Sequence, residues 1–404
     1  MLINILFLSK PIFDMFYKYP ILDAVLVLFL IYYLITNSKK VKLTKANILL
    51  LLLFFLLTRS LLMQFNLGTF TTYIKIASAL MMFIAAQLNE YPHKTLRIIA
   101  LSYLIPLSVN SLLGLTGNGY IYWGDILTFS GTYYYKTDLA IAIVLGVIFF
   151  RYYLFNSDSR NLKKIAFLFI FLIAPYLIIK ANSRMFIIVY GITLIFICGE
   201  YLKNKRFNNL TKSQKKYKFS LGVRTLIVAS VVVLVSSILL VYNNTTASQN
   251  ALNIDFENIF SEKNTQGRSE IWPAAIKGFS ESPFLNKLFG SYLNADYDII
   301  SKFYNDAKDA HNNLIKITLN FGIIGLMLFI VFMFRVIYLL NASYKRHKNE
   351  TDIIFILNTI LLLFIFFNLP GMTQSNIIYT QSSWYAFYFF GLLSNPTLFK
   401  EAVT

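Results

Sequence analysis

His311, Arg184 and Arg268 are the side chains whose types and positions suit chemistry in this chain. His311 stands where a long polar stretch, residues 243–312, gives way to an apolar run. An imidazole has an ordinary pKa of about 6.5, so it can take a proton from a hydroxyl near neutral pH. Asp309 is placed to orient the ring, and Asn312 or Asn313 to cap the helix that follows. The same histidine also reads as a polar ring resting at a membrane interface beside that cap. Arg184 closes the short turn Lys180-Ala181-Asn182-Ser183-Arg184 between two apolar runs. A charge at that depth is costly and marks function by default, unless it snorkels to the interface. Arg268 precedes Trp272 in Gly267-Arg268-Ser269-Glu270-Ile271-Trp272, where it reads either as a ligand or as a solvated rim charge. The planar fork of a guanidinium suits phosphate oxygens. Two arginines and one histidine on one side of a membrane suit a lipid-linked phosphate better than a simple solute.

The elements that must hold these residues are membrane helices. The chain has 404 residues, 57% hydrophobic and only 14% charged, where a soluble domain carries about 25% charged residues. A spanning helix needs about 20 mostly apolar residues. Runs that meet or approach this cover 21–36, 46–65, 67–88, 96–115, 138–155, 165–179, 185–199, 226–242, 314–340, 353–369 and 382–393, with 1–17 a weaker twelfth. They are continuous, without the alternation of a barrel strand. The expected fold is therefore an all-α polytopic membrane protein with about 11–12 spans, read as a single membrane-embedded domain over 1–404.

The formal net charge of +18 raises the question of nucleic acid, but its distribution answers otherwise. Basic residues cluster in every second connection: Lys39 to Lys45, Lys94 and Arg97, Arg160 to Lys164, Lys203 to Arg224, Lys345 to Lys348, and Lys400. That alternation marks the cytoplasmic side. Connections 116–137, 180–184, 243–312 and 370–381 then face outward. No nucleic-acid partner is expected. Cys198 lies inside an apolar run and reads as a small buried residue. There is no glycine-rich phosphate loop, which argues against an ATP-driven pump. Asp23, Lys75 and Asp138 are the ionisable residues noted within the runs, few for an ion-coupled transporter.

The stretch 243–312 is too long for a mere connection, and it holds close to half of the chain's 19 acidic residues. Ile271, Trp272, Ala275, Ile276 and Phe279 recur at helical spacing. They predict a short amphipathic helix on the membrane surface or over a cavity, with Pro273 in its first turn and Pro283 as its boundary. Tyr292 and Tyr297, with Trp272, read as sugar-stacking or packing residues. Asp296-Tyr297-Asp298 has the form of a metal-binding pair, and reads equally as two solvated carboxylates.

Taken in order, these motifs resemble the O-antigen polymerase and ligase superfamily of bacterial envelope proteins. The likeness rests on Gly267, Arg268 and Trp272, on Ser282-Pro283 and Gly290, on His311-Asn312, on Gly322 and Gly325, and upstream on Ser183-Arg184. It covers roughly residues 120–340. It implies a fold like that of C-type glycosyltransferases, acting without metal or other cofactor on undecaprenyl-diphosphate-linked glycans at the outer face of the plasma membrane. It implies His311 as the base on an acceptor hydroxyl. It implies Arg184 and Arg268 as ligands of the diphosphate leaving group, with Asp309, Asn312 and Trp272 supporting them. A chain-length regulator and a flippase are implied partners besides the lipid bilayer. Repeat-unit polymerase is the favoured activity, with transfer of finished glycan to lipid A core as an alternative. From another class, a transporter or flippase with 243–312 as its lid also remains open.

Overall fold

The computed structural model describes residues 2–16, 21–41, 44–123, 126–211, 268–304 and 309–398. The run at 226–242, the basic run from Lys212 and residues 243–267 of the polar stretch lie outside them. The chain is an all-α multi-pass membrane protein. Among the described residues nine helices are long and apolar enough to cross a membrane: Ile21–Lys40, Lys45–Met63, Leu67–Gln87, Pro92–Thr116, Lys136–Asn156, Arg160–Ala181, Arg184–Tyr201, Asn313–Arg346 and Thr351–Gly371. Each lies over a run expected from the sequence.

Two of the expected runs are not spans by this measure. The run at 382–393 forms a helix of 13 residues, Thr380–Leu392, and the N-terminal run forms another of 13, Leu2–Asp14. At 1.5 Å per residue such a helix falls short of a hydrocarbon core of about 30 Å. Thr380–Leu392 is instead a core helix, buried from Ser382 to Leu392. It packs so closely on the Leu67–Gln87 helix that a Cβ on Gly391 would lie 2.1 Å from the Phe83 carbonyl oxygen. The Trp384 indole donates to Ser78 Oγ at 2.7 Å. Its apolarity therefore reflects protein contact rather than lipid contact.

Prolines shape two of the spans. The run at 96–115 is two helices, Pro92–Ser102 and Leu104–Thr116. Pro106 lacks the N–H that would bond the Ser102 carbonyl. In the Arg160–Ala181 span the turn Phe169–Ile173 is a π-helix. Pro175 cannot supply the N–H that this wider turn would direct to the Ile170 carbonyl. Tyr190 donates its hydroxyl to that oxygen instead, at 2.7 Å. A two-stranded hairpin, Tyr120–Trp123 paired antiparallel with Ile126–Phe129, lies in the connection 116–137. The sequence reading did not foresee it.

The described residues divide into two compact units. One is built from 1–6, 21–95 and 255–404, and the other from 7–20 and 96–254. In the first unit the described part of the polar stretch folds into three short helices, Arg268–Glu281, Phe284–Phe289 and Ala295–Ser301. They are locked to the Asn313–Arg346 helix by a backbone crossing. Gly290 (φ 76°) and Gly322 (φ 71°) both take the left-handed region that glycine tolerates. A Cβ on Gly290 would lie 2.2 Å from the Asn320 carbonyl oxygen, and one on Gly322 would lie 2.3 Å from that of Leu288. Gly322 breaks the long helix at this point. Ser291 N–H donates to the Leu319 carbonyl at 3.1 Å and Ser60 Oγ to the Asn320 carbonyl at 2.9 Å. Arg59 clamps the Phe289 and Gly290 carbonyls at 3.0 and 3.1 Å. Gly290→Ala or Gly322→Ala is expected to cost at least about 2 kcal/mol, from strain and overpacking together. A lower midpoint of thermal unfolding in detergent is the readout, and an unchanged midpoint would mean that the crossing can open without cost.

Candidate functional site

The site in the first unit begins at the segment Asp309-Ala310-His311, which leads into the Asn313–Arg346 helix. Asn312 caps that helix: its Oδ1 accepts from the N–H groups of Leu314 (2.8 Å) and Ile315 (3.2 Å). His311 takes a positive φ of 48°, a conformation that persists in a side-chain-bearing residue only when its neighbours fix it. They do so on both sides. Ala310 donates its N–H to Asp296 Oδ2 (3.2 Å) and accepts from the Trp272 indole (3.1 Å). Asn312 Nδ2 donates to the Met372 carbonyl at 2.9 Å. The backbone at His311 is thus held at a fixed place while its side chain stays 41% exposed.

The Arg268–Glu281 helix was expected from its apolar spacing, and it forms. Pro273, however, is its sixth residue and lies beyond the first turn. The helix covers a small cluster of Ile271, Ala274 and Ala275 with Ile300, Ala310 and Leu319. Trp272 packs against this cluster and is tied to Ala310, so its role here is packing. Arg268, at the start of the helix, donates from Nε to the Thr373 carbonyl at 3.0 Å. The turn at 372–375 therefore forms another wall of the site.

Lys316, one turn into the long helix, is the residue that the sequence reading missed. It is 1% exposed. Its ammonium donates to Asp296 Oδ2 and to Asp309 Oδ1, each at 2.9 Å, and lies 5.2 Å from the centre of the Tyr297 ring. Ser375 Oγ donates to the same Asp309 oxygen at 3.1 Å. Asp309 Oδ2 is 3.8 Å from His311 Nδ1, near enough to feel the ring's charge but too long for a hydrogen bond. The signal was available, since Lys316 lies within the run 314–340 and an ionisable residue there is a functional candidate by default. Asp296-Tyr297-Asp298 is not a solvated or shared acidic pair. Asp296 is fully buried against Lys316, while Asp298 accepts the Tyr292 hydroxyl.

These contacts separate the acidities. Burial pushes the Asp296 carboxyl up to about 7, with the neighbouring Asp309 carboxylate adding to the rise and Lys316 opposing it. Burial also acts to raise Asp309, but the Lys316 ammonium outweighs it, and Asp309 ends well below the ordinary carboxylate range. His311 is lowered below 6.5, mainly by burial; Arg268 and Lys316 add to the fall and Asp309 opposes it. At neutral pH the ring is an uncharged imidazole. Its Nδ1 side faces Asp309, which leaves Nε2 for an incoming group.

His311, Arg268, Asp309, Asn312 and Trp272 are thus together in one unit. Arg184 belongs to the other unit, at the head of the Arg184–Thr211 helix. There Asn182 (φ 51°) ends the preceding helix, and Arg184 interacts electrostatically with Lys136. Lys180, in the same turn, donates to the Gly114 carbonyl at 2.6 Å and lies over the ring of Tyr176 at 5.0 Å.

Residues 165–330 match the family model described as O-antigen ligase, a stretch that contains Arg184, Arg268, His311 and Lys316. No curated protein matches the chain.

The raised Asp296 carboxyl gives a stability signature. Its ordinary value is 3.8, and in the fold it holds its proton to about 7. Between those values the native state binds more protons than the unfolded one, so this group's stabilisation falls as pH rises. Asp309 has the opposite sign, and its contribution is lost as pH falls below the ordinary carboxylate range. Between about pH 5 and pH 7 Asp296 therefore lowers the unfolding midpoint as pH rises while His311, held below 6.5, works against it, so Asp296→Asn should show a shallower decline, or a steeper rise, than the wild type. An equal slope in the variant would assign the pH dependence to other groups.

Proposed function

We propose that this chain, which belongs to the O-antigen polymerase and ligase superfamily over residues 165–330, is a repeat-unit polymerase acting on undecaprenyl-diphosphate-linked oligosaccharides. Its product is an O-antigen or capsular polysaccharide made at the outer face of the bacterial plasma membrane. The observation that carries this reading is a half-exposed, neutral His311 on a fixed backbone, within electrostatic reach of Arg268, in a membrane protein of this superfamily. The basic connections then lie in the cytoplasm, and the segment holding His311 lies outside. A flippase that delivers the donor and a regulator of chain length are the partners such a cycle needs.

In this reaction the hydroxyl of an acceptor sugar attacks the anomeric carbon of the lipid-linked donor. His311 Nε2 takes the hydroxyl proton as the new glycosidic bond forms. The bond from the anomeric carbon to the diphosphate breaks, and its electron pair leaves on the phosphate oxygen. Arg268 holds the diphosphate and stabilises that charge as it develops. The chemistry needs protein cations and one base, so no metal or other cofactor enters it. The family description also favours a second reading, transfer of finished glycan to lipid A core, by the same base and the same leaving group.

Purified protein given lipid-linked repeat units should yield longer glycans, whereas the ligase reading requires a lipid A core acceptor. Movement across vesicles without lengthening would sink both and favour a flippase. His311→Ala is expected to lower the rate about 10²- to 10⁴-fold. A normal glycan ladder at normal protein levels would overturn the base assignment. In the wild type, kcat/KM should rise with pH through a midpoint below 6.5 as His311 loses its proton, then level off.

A further inference from the structure

We infer that Lys316 is a positioning residue for His311: it pins the Asp309 carboxylate to the membrane helix so that Oδ2 faces the imidazole, with Asp296 anchoring Lys316 from the other side. The inference rests on the reading of His311 as the base. Asp309, Ala310 and His311 lie outside any helix, and such a segment does not hold a side chain in place by itself. Lys316 lies on the part of the Asn313–Arg346 helix before its break at Gly322, a part locked to the short helices by the crossing at Gly290, and a helix carries its side chains at fixed heights.

The division of the Asp309 oxygens supports this role. Lys316 and Ser375 both donate to Oδ1. Oδ2 is left on the His311 side, 3.8 Å from Nδ1. That separation is long, and catalytic hydrogen bonds of this kind tighten when substrate binds. A carboxylate there fixes the tautomer with Nδ1–H, so that Nε2 takes the proton, and it stabilises the imidazolium that results. Without Lys316, Asp309 keeps Ser375 and Asp296 as hydrogen-bond partners but loses its contact with the Asn313–Arg346 helix, and with it the placing of Oδ2 against the ring.

A buried ion pair that only staples the loop is the competing explanation. The two differ in Lys316→Arg, which keeps the charge of a staple but moves the point at which Asp309 is held. The charged groups facing His311 are Asp309 on its own segment, Arg268 on the Arg268–Glu281 helix and Lys316 on the long helix. Asp296, on the Ala295–Ser301 helix, acts through Lys316. Lys316 is a cation that holds the proton affinity of His311 down. Removing its charge raises that affinity, so the acid limb of the rate profile moves to higher pH.

The test uses the full chain reconstituted with lipid-linked repeat units, with kcat and KM measured across pH. Lys316→Met is expected to lower kcat about tenfold to a hundredfold with little change in KM, and to move the acid limb up by about one pH unit. Should it fail to fold, Asp296→Asn and the double variant Asp296→Asn/Lys316→Met replace it. The double variant removes the ammonium together with the buried carboxyl that accepts from it. The limb should stay near its wild-type place in the single variant and move up in the double one. Lys316→Arg keeps the charge but changes the reach, so it should keep the limb and lower kcat; an unchanged kcat there counts against positioning. A limb that stays put in every folded variant lacking Lys316 while His311→Ala is inactive overturns the inference alone. Activity in His311→Ala overturns the underlying base assignment instead.

Discussion

A single buried ammonium organises the described part of the polar stretch. Lys316 offers one positive charge to two carboxylates from different segments, Asp296 on a short helix and Asp309 on an irregular one. Taking an ammonium and a carboxylate out of water is expensive, and their attraction offsets this only when the geometry is good; Asp296 eases the cost by holding its proton up to about pH 7. Both contacts at 2.9 Å, with Ser375 and the Ala310 N–H as further donors, supply that geometry. Such an arrangement is weak evidence for stability. Its value lies in specificity, because any other packing of these segments would leave a buried charge without a partner.

Several other ties around the site end on main-chain carbonyls. Trp272 reaches Ala310, Asn312 reaches Met372, Arg268 reaches Thr373, and Arg59 reaches Phe289 and Gly290. These bonds hold the short helices to segments that bring backbone rather than side chain to the contact. The crossing of Gly290 and Gly322 follows the same logic, since two chains meet there with no room for a Cβ. The site is thereby framed by backbone positions, and His311 is one of the few side chains in it left partly exposed.

Most of the spans were legible because a bilayer demands long apolar runs and helical backbone pairing. Where the reading failed, a local cause is visible. The run at 382–393 is as apolar as a span, but protein surrounds it, and hydropathy does not distinguish lipid from protein. Pro106 and Pro175 change helix geometry inside runs that composition alone treats as uniform. Pro273 lies deeper in its helix than expected because the helix starts as early as Arg268. The Tyr120–Phe129 hairpin is too short to leave a periodic signature.

The amino-acid sequence by itself determined a polytopic helical protein and its apolar runs, and it marked a histidine and arginines as candidates for reactive or phosphate-binding chemistry. Those features follow from side-chain type and local spacing, and both are written in the chain. Tertiary structure alone decided that Asp296 and Lys316, 20 residues apart, form an ion pair and that Asp309 shares it. It also decided that burial would lower the proton affinity of His311, and that Trp272 and the 372–375 turn would tie down Ala310 and Asn312 on either side of it. The physical reason is that burial and charge pairing depend on what folds over a residue. Lys316 in sequence is a cation at the edge of an apolar run, and only the packed segments above it make it the fixed point of the site.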